Sequence, residues 1–129
     1  MEVPREHVHT ARMGFQHLRA HGAARELRRE VDKILTALSP RQRIWFSNIL
    51  RHLDEAVDSV LNNIAEGNDS VYPRKKANFF DTARNSCKET RSALQSLVER
   101  NAITHKQAHR AIGLTYVIPK MLYAMRTQN

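Results

Sequence analysis

The chain has 129 residues, the length of a single folded domain, and its 21 basic and 13 acidic residues give a formal net charge of +8. A chain of this size can bury a core without disulfides or metal ions, and the sole cysteine, Cys87, excludes an intrachain disulfide and suits a reducing compartment. The charged N-terminus lacks the apolar stretch of a signal peptide, and no segment has the roughly 20 apolar residues that a membrane-spanning helix requires. We therefore expect one cytoplasmic domain over residues 1–129, with no membrane contact.

The first predicted helix ends at Ser39. Its apolar residues recur at spacings of three and four, as on one face of a helix, at Ala24, Leu27, Val31, Ile34 and Leu38. An upstream stripe is out of phase with this one near Gly22, and it consists of Val8, Ala11, Phe15 and Leu18. The change of phase predicts a break, a bend or an extra N-terminal helical segment over residues 1–22. Because proline disfavours the helical conformation in the residue before it, Ser39 should end the helix and cap the next one, with Pro40 in its first position.

The second predicted helix runs from Pro40 to about Ala65 and carries two neighbouring apolar stripes. One stripe contains Ile49, Leu53, Ala56, Val60 and Ile64, and the other contains Phe46, Leu50, Val57 and Leu61. The combined arc is wider than one bundle core requires. Gly67 is expected to end the helix in the left-handed conformation that glycine adopts readily.

A loop over residues 68–72 leads to Pro73 and the third predicted helix. Its core stripe should contain Phe80, Ala83, Cys87, Leu94 and Leu97, with the cysteine as a buried small hydrophobic residue. Asn101 is expected to form the C-terminal cap, and the capping-box spacing of Thr104 and Gln107 predicts that the fourth helix starts there.

The fourth predicted helix is apolar on two sides and contains an internal proline. One side holds Ala108, Ala111, Ile112, Ile118, Leu122 and Met125, and the other holds Leu114, Val117 and Met121. Pro119 cannot donate a hydrogen bond to the carbonyl of Thr115, so a kink is expected. The four helices together predict an all-α fold, an antiparallel up-down four-helix bundle.

The wide apolar arcs predict that the chain assembles with copies of itself. A single bundle needs only a narrow stripe on each helix, and leaving the remainder exposed would create an unusually large apolar patch. The predicted oligomer interface consists of Phe46, Leu50, Val57, Leu61, Leu114, Val117 and Met121.

Motifs for catalysis and cofactor binding are not found. The chain contains no phosphate loop, nucleophile elbow or dinucleotide fingerprint, so we expect no catalytic residue and no cofactor. The pairs His17/His21 and His105/His109 could each share a helical face, but neither has an obvious third ligand, so we expect no metal site. The carboxylates of the second helix are interpreted as a solvated face or as partners of basic residues; they are Asp54, Glu55 and Asp58.

The excess of basic residues lies in the C-terminal half. Residues 67–101 carry seven basic and four acidic residues, and residues 102–129 carry four basic and no acidic ones. The predicted nucleic-acid-binding residues are Arg74, Lys75 and Lys76 at the start of the third helix and Arg84, Lys88 and Arg91 along it. Only Tyr72 and Phe79 are aromatic neighbours of these residues in the sequence, which predicts contact with phosphates rather than with bases. Solubility alone is the alternative explanation of the charge.

The segment Asn63-Ile64-Ala65-Glu66-Gly67 resembles the signature of a four-helix-bundle family of proteins encoded by intervening sequences of large-subunit ribosomal RNA genes. The similarity covers about residues 15–126, with Ser39-Pro40 in the loop that precedes the signature by one helix. It implies an antiparallel four-helix bundle that assembles into a ring, often a pentamer. The resemblance also implies a structural role for Glu66 and a backbone role for Gly67.

Pro40-Arg41-Gln42-Arg43 is similar to the corresponding segment in relatives of this family, the accessory variability determinants of diversity-generating retroelements. That similarity implies binding to RNA or DNA and to a reverse transcriptase. The leading expectation is thus a non-enzymatic homo-oligomer that binds nucleic-acid backbones as an accessory protein. The alternative is a structural or protein-interaction scaffold with no nucleic-acid role.

Overall fold

The computed structural model of the chain describes the backbone of residues 5–126 and the side chains of residues 18–125. Over this range it contains five helices and no strand, which confirms the predicted all-α fold. The helices are α1 (Arg5–Ala37), α2 (Pro40–Trp45), α3 (Ser47–Asp69), α4 (Pro73–Glu99) and α5 (His105–Arg126). None of these helices, within the described residues, is both long enough and apolar enough to cross a membrane.

Each of the four long helices packs against two others. Helix α1 contacts α3 and α5, α4 contacts the same two helices, and the short α2 contacts α3. The apolar faces meet in one core, which contains every residue of the predicted stripes from Ala24 to Leu38 and from Phe80 to Leu97. Of the predicted upstream stripe, Leu18 is 71% exposed, and Val8, Ala11 and Phe15 lie outside the described side chains. The main contributions from the other helices are Leu53, Val57, Val60, Ile64, Ala108, Ala111, Ile118 and Leu122.

Helix α1 is continuous through Gly22, so the predicted break or separate segment there is wrong. A glycine inside a helix costs only about 1 kcal/mol relative to alanine. Ala20 and Ala24, on either side of it, are both fully buried in the core. The packing of this face therefore outweighs the low helix propensity of one exposed glycine.

Replacing Gly22 or Gly113 with alanine should raise the free energy of unfolding by about 0.5–1 kcal/mol at each position. Both glycines are exposed inside helices, and an added Cβ atom at either position would meet no atom within 4 Å. Urea denaturation followed by circular dichroism measures the change. A lower stability in either variant would contradict the prediction.

The predicted second helix is divided in two at Phe46. The predicted cap by Ser39 is confirmed, and it takes the form of a capping box, since the Gln42 amide donates to Ser39 Oγ and the Ser39 amide donates to Gln42 Oε1. Phe46 (φ −100°, ψ 18°) then separates α2 from α3, and its buried ring lies 5.1 Å from the Arg100 guanidinium carbon. Burial of the Phe46 ring in the core explains why the helix is interrupted here, although the apolar periodicity continues through this position.

The two C-terminal caps predicted for α3 and α4 have different outcomes. Helix α3 continues through Gly67 to Asp69, and φ is not positive at Gly67, so the predicted left-handed cap is wrong there. Asn101 has φ 61° and confirms the predicted cap of α4. Its amide bonds to the Val98 carbonyl at 3.0 Å, and the next amide bonds to the Leu97 carbonyl at 2.9 Å, as in a Schellman motif. The predicted capping box of Thr104 and Gln107 is also confirmed.

Much of the predicted oligomer interface is packed inside the chain. Phe46 and Val57 are buried core residues, which corrects their assignment to an exposed surface. Leu50, Leu61, Leu114 and Met121 are half-buried against the core, and Val117 is 44% exposed. The wide apolar arc of α3 is covered because this helix packs on α1 and α4 at once.

Arg28 joins α1 to the acidic face of α3. Its guanidinium lies 2.7 Å from Asp54 Oδ1, 3.1 Å from Asp58 Oδ1 and 2.6 Å from Asp32 Oδ1. Burial alone would lower the pKa of Arg28, but the hydrogen bonds to Asp32 and Asp54 outweigh it and raise the pKa. Asp54 and Asp58 thus have a basic partner in their own chain, whereas Glu55 is an exposed residue beside α4.

Candidate nucleic-acid interface

Helices α4 and α5 present a mixed surface of cations and tyrosines. On α4, Arg84, Lys88 and Arg91 follow at spacings of four and three, and on α5 the same spacings separate Tyr116, Lys120 and Tyr123. The Arg84 guanidinium carbon lies 5.2 Å from the centre of the Tyr123 ring, and that of Arg91 lies 3.6 Å from the centre of the Tyr116 ring. We call these six residues the Arg–Tyr face.

Arg91 donates a hydrogen bond to the backbone carbonyl of α5 that Pro119 leaves without its helical donor. Pro119 has no N–H group, so the Thr115 carbonyl lacks its usual helical donor, although the helix continues without interruption. Arg91 Nη2 donates to this carbonyl at 2.9 Å, and Nε donates to Thr115 Oγ1 at 3.1 Å. Arg91 is one of the predicted nucleic-acid-binding residues. In the structure its Nε and Nη2 atoms donate to Thr115, and its guanidinium lies over the Tyr116 ring.

Arg84 is also engaged within the chain. Its side chain is half-buried, and Nη1 lies 3.3 Å from Asp81 Oδ1, one helical turn away. The exposed cations of the face are therefore Lys88 and Lys120. Tyr116 and Tyr123 are 50% and 54% exposed, so about half of each side chain remains accessible while an arginine contacts its ring.

The six predicted binding residues form two groups. Arg74 and Lys75 are exposed at the start of α4, Lys76 is half-buried, and Lys75 Nζ lies 5.3 Å from the centre of the Tyr72 ring. Ten residues separate Arg74 from Arg84, which is about 15 Å along the helix. The first group thus extends the basic surface toward the α3–α4 connection rather than joining the Arg–Tyr face.

Sequence reasoning missed the two tyrosines of the face. They lie 25 or more residues after Arg91, so the sequence around the basic residues does not indicate that these tyrosines are their neighbours. The available signal was the repeated spacing of four and three, which occurs on both helices and allows antiparallel neighbours to pair. Arg84 with Tyr123 and Arg91 with Tyr116 both fit one antiparallel register.

The core beneath this face offers no reactive group. Cys87 is fully buried, which confirms its predicted role as a small hydrophobic residue. Burial raises the pKa of its thiol to about 12, although nearby Arg91 acts in the opposite direction. Among the described side chains, no three His, Cys, Asp or Glu residues form a group that could hold a metal ion, and His17 lies outside those side chains.

The Asn63–Gly67 segment forms part of the seam between α3 and α4. Asn63 Nδ2 donates to the Ser59 carbonyl at 2.8 Å and to Ser59 Oγ at 3.1 Å, and Ser59 Oγ lies 2.7 Å from Ser86 Oγ of α4. One helical turn later, Gly67 lies against the ring of Phe80. Gly67 thus leaves room for the Phe80 ring, and Ser59 and Ser86 form a polar contact between the two helices.

The family model of the 23S rRNA-intervening sequence protein matches residues 16–124. The chain belongs to this family. The match includes all of α2, α3 and α4 and most of α1 and α5, so it covers both the α3–α4 seam and the Arg–Tyr face. No curated protein and no solved structure matches the chain significantly.

The family signature and the Arg–Tyr face lie on different helix pairs of this intervening-sequence protein. Gly67 of the signature lies against Phe80 of α4, whereas the face is formed between α4 and α5.

Proposed function

We propose that this protein is a non-enzymatic accessory protein that binds nucleic acid on the Arg–Tyr face. The observation that carries the proposal is the concentration of two exposed lysines and two half-exposed tyrosines on one pair of helices. Helix α5 contains no aspartate or glutamate, so no carboxylate of this helix opposes an approaching phosphate. Basic side chains next to accessible aromatic rings are typical of surfaces that bind polynucleotides.

The attraction should come mainly from phosphate neutralisation. Lys88 and Lys120 are flexible, exposed ammonium groups, and Arg74 and Lys75 add charge at the start of α4. Each phosphate contact releases condensed counterions, so the affinity should fall steeply with salt concentration. Such contacts position a nucleic acid without selecting its sequence.

Reversing the charge of Lys88 and Lys120 together should weaken nucleic-acid binding at least about tenfold at moderate salt. The slope of log affinity against log salt concentration should fall by about two, because two phosphate contacts are lost. Fluorescence anisotropy of labelled RNA and DNA across a salt series measures both quantities.

The matched control reverses Arg25 and Arg29, two exposed cations of α1, which changes the net charge equally. This control should keep most of the affinity. Equal losses in the two variants would mean that net charge alone drives binding. Undetectable binding of the unmodified protein at low salt would overturn the proposal.

The second part of the proposal is that the chain is an antiparallel four-helix bundle and associates with copies of itself. The family resemblance implies that such an assembly is a ring. The supporting observation is on α2, where Ile44 and Trp45 are each 77% exposed, with Arg41 in the same surface groove. Two adjacent large apolar side chains beside an arginine are typical of the anchor residues of protein interfaces.

A second copy of the chain offers a complementary surface between α3 and α4. This groove of about 520 Å³ is lined by Ala56, Ser59 and Ala93, whose small side chains leave room for large ones. Glu55 and Glu89 also line it and would face an incoming arginine. We propose that the Ile44–Trp45 surface of one copy contacts this groove of another.

Replacing Ile44 and Trp45 with serine should shift the protein to the monomer in light scattering. Trp45 is the sole tryptophan, so its fluorescence in the unmodified protein should shift to shorter wavelength as the concentration rises. The matched control replaces Val71 and Tyr72, another exposed apolar pair, and should leave the mass unchanged.

A charge exchange tests the proposed groove specifically. Arg41→Glu should weaken the assembly, and adding Glu55→Arg should restore part of it. A monomeric unmodified protein, or an assembly that resists the serine variant, would contradict this part of the proposal.

A protein-interaction scaffold without a nucleic-acid role is the second candidate function, and the exposed Ile44–Trp45 surface favours it. It would be adopted if the assembly forms but no nucleic acid binds. A reverse transcriptase as partner rests on the resemblance of Pro40-Arg41-Gln42-Arg43 to the retroelement determinants. Co-purification with such an enzyme would test that extension.

A further inference from the structure

We infer that the ligand of the Arg–Tyr face is single-stranded nucleic acid, whose unpaired bases stack on Tyr116 and Tyr123. This inference rests on the proposed function and specifies the class of ligand. It differs from the sequence-based expectation of contact with phosphates alone, because Tyr116 and Tyr123 of α5 lie beside the arginines of α4.

The two rings are held in place before any ligand arrives. Arg91 is anchored by two hydrogen bonds to Thr115, and its guanidinium stacks on the Tyr116 ring at 3.6 Å. Arg84, paired with Asp81, contacts the Tyr123 ring in a similar way at 5.2 Å. A ring that is already ordered loses little conformational entropy when a base stacks on it.

The exposure of the rings distinguishes them from tyrosines that serve packing alone. Each tyrosine keeps about half of its surface accessible to solvent, although an arginine contacts its ring. A base is a flat aromatic group of similar width, and stacking on tyrosine tolerates any base because every base has a π-face. The face therefore offers two stacking positions without selecting a sequence.

The order of side chains along α5 fits a strand with alternating bases and phosphates. Tyr116, Lys120 and Tyr123 follow one another at about one-turn intervals, and the two tyrosine positions are about 10 Å apart along the helix. A lysine thus lies between the two stacking positions, and Lys88 on the neighbouring α4 adds a second exposed cation. A strand that stacks a base at each end would carry its intervening phosphates past these ammonium groups.

A duplex fits the same face less well. Its bases are paired and stacked on each other, so a tyrosine gains contact with them only by unstacking a step, which costs a few kcal/mol. Unpaired bases in single strands and loops are free to stack on aromatic side chains. Stacking does not read the 2′-hydroxyl group, so RNA and DNA strands share the required chemistry.

The test compares the full chain with its Tyr116→Leu/Tyr123→Leu variant, which keeps apolar side chains under both arginines. The probes are one unstructured labelled sequence as RNA and as DNA, together with the corresponding duplexes. Each leucine should weaken single-strand binding at least about fivefold, whereas duplex binding and the salt slope should stay unchanged. The Tyr116→Phe/Tyr123→Phe variant keeps both rings and should bind single strands like the unmodified protein.

A second measurement does not depend on folding of the variants. Bromouridine-substituted single-stranded RNA, irradiated in complex with the unmodified protein, should give adducts at Tyr116 or Tyr123 on peptide mapping. Adducts confined to other residues would overturn the inference. A difference between RNA and DNA strands of more than a few fold would also overturn it, because it would require contacts other than stacking.

The failure of this inference is distinguishable from failure of the proposed function. If reversing Lys88 and Lys120 weakens binding but the leucine variant does not, base stacking is excluded and backbone binding stands. If duplexes bind as tightly as single strands, base stacking is likewise excluded and binding to the nucleic-acid backbone stands. If no probe binds at low salt, both the inference and the proposed function are wrong.

Discussion

Gly67→Ala should destabilise the fold by about 2–3 kcal/mol, which is a large part of the stability of a domain of this size. An added Cβ atom would lie 2.4 Å from Cε1 and 2.7 Å from Cδ1 of Phe80. The Phe80 ring is buried in the core, so it can move away only by disturbing its neighbours. Glycine is required here because of the space available, since its φ is not positive. Urea denaturation measures the loss.

Two controls separate this clash from a general effect of glycine. Gly22→Ala removes a helical glycine with open space around it and is expected to stabilise the protein. Phe80→Leu in the Gly67→Ala background should cost less than the sum of the two single changes, because the smaller side chain leaves room for the new methyl group. Additive losses would show that the ring does not limit this position.

Arg91→Met should lower the free energy of unfolding by about 2–3 kcal/mol. The change removes two hydrogen bonds to the buried Thr115 and leaves its carbonyl without the donor that Pro119 cannot supply. It also removes the stacking of the guanidinium on Tyr116. Thermal and urea denaturation should agree on the direction of the change.

Restoring a backbone donor should rescue this variant. With alanine at position 119, the amide of that residue can donate to the Thr115 carbonyl, so Pro119→Ala should stabilise the Arg91→Met protein more than the unmodified one. Arg91→Lys should recover little, because one ammonium group cannot bond both oxygens and stack flat on the ring. An equal effect of Pro119→Ala in both backgrounds would show that this carbonyl is not what Arg91 satisfies.

Both variants concern residues whose contacts on other helices local patterns do not reveal. Gly67 has the spacing of a helix-ending glycine, and Arg91 has the spacing of a basic ridge next to the core stripe. In the fold, Gly67 of α3 leaves room for the Phe80 ring of α4. Arg91 of α4 supplies a hydrogen-bond donor to the Thr115 carbonyl of α5. The partner of Gly67 is Phe80 and the partner of Arg91 is Thr115, and each lies on another helix. Helix periodicity does not reveal which residue of another helix a side chain contacts.

The features predicted correctly depend on interactions within a few residues. The N-terminal cap at Ser39, the capping box at Thr104 and the C-terminal cap at Asn101 are formed by neighbours in the sequence. The core stripes of α1 and α4 follow from the helical repeat, because burying one face is favourable whichever helix covers it. By contrast, the continuity of α1 at Gly22 depends on packing of its flanking residues.

The sequence by itself determined the all-α class, most helix ends, the core residues of α1 and α4, and membership of the intervening-sequence family through the Asn63–Gly67 segment. Only the tertiary structure decided that Phe46 and Val57 lie in the core, that Arg28 joins α1 to α3, and that two tyrosines of α5 stand beside the arginines of α4. The physical reason is the range of the interactions. Capping and helical periodicity act between residues close in the chain, whereas the pairing of side chains across helices depends on the order, register and separation in which those helices pack.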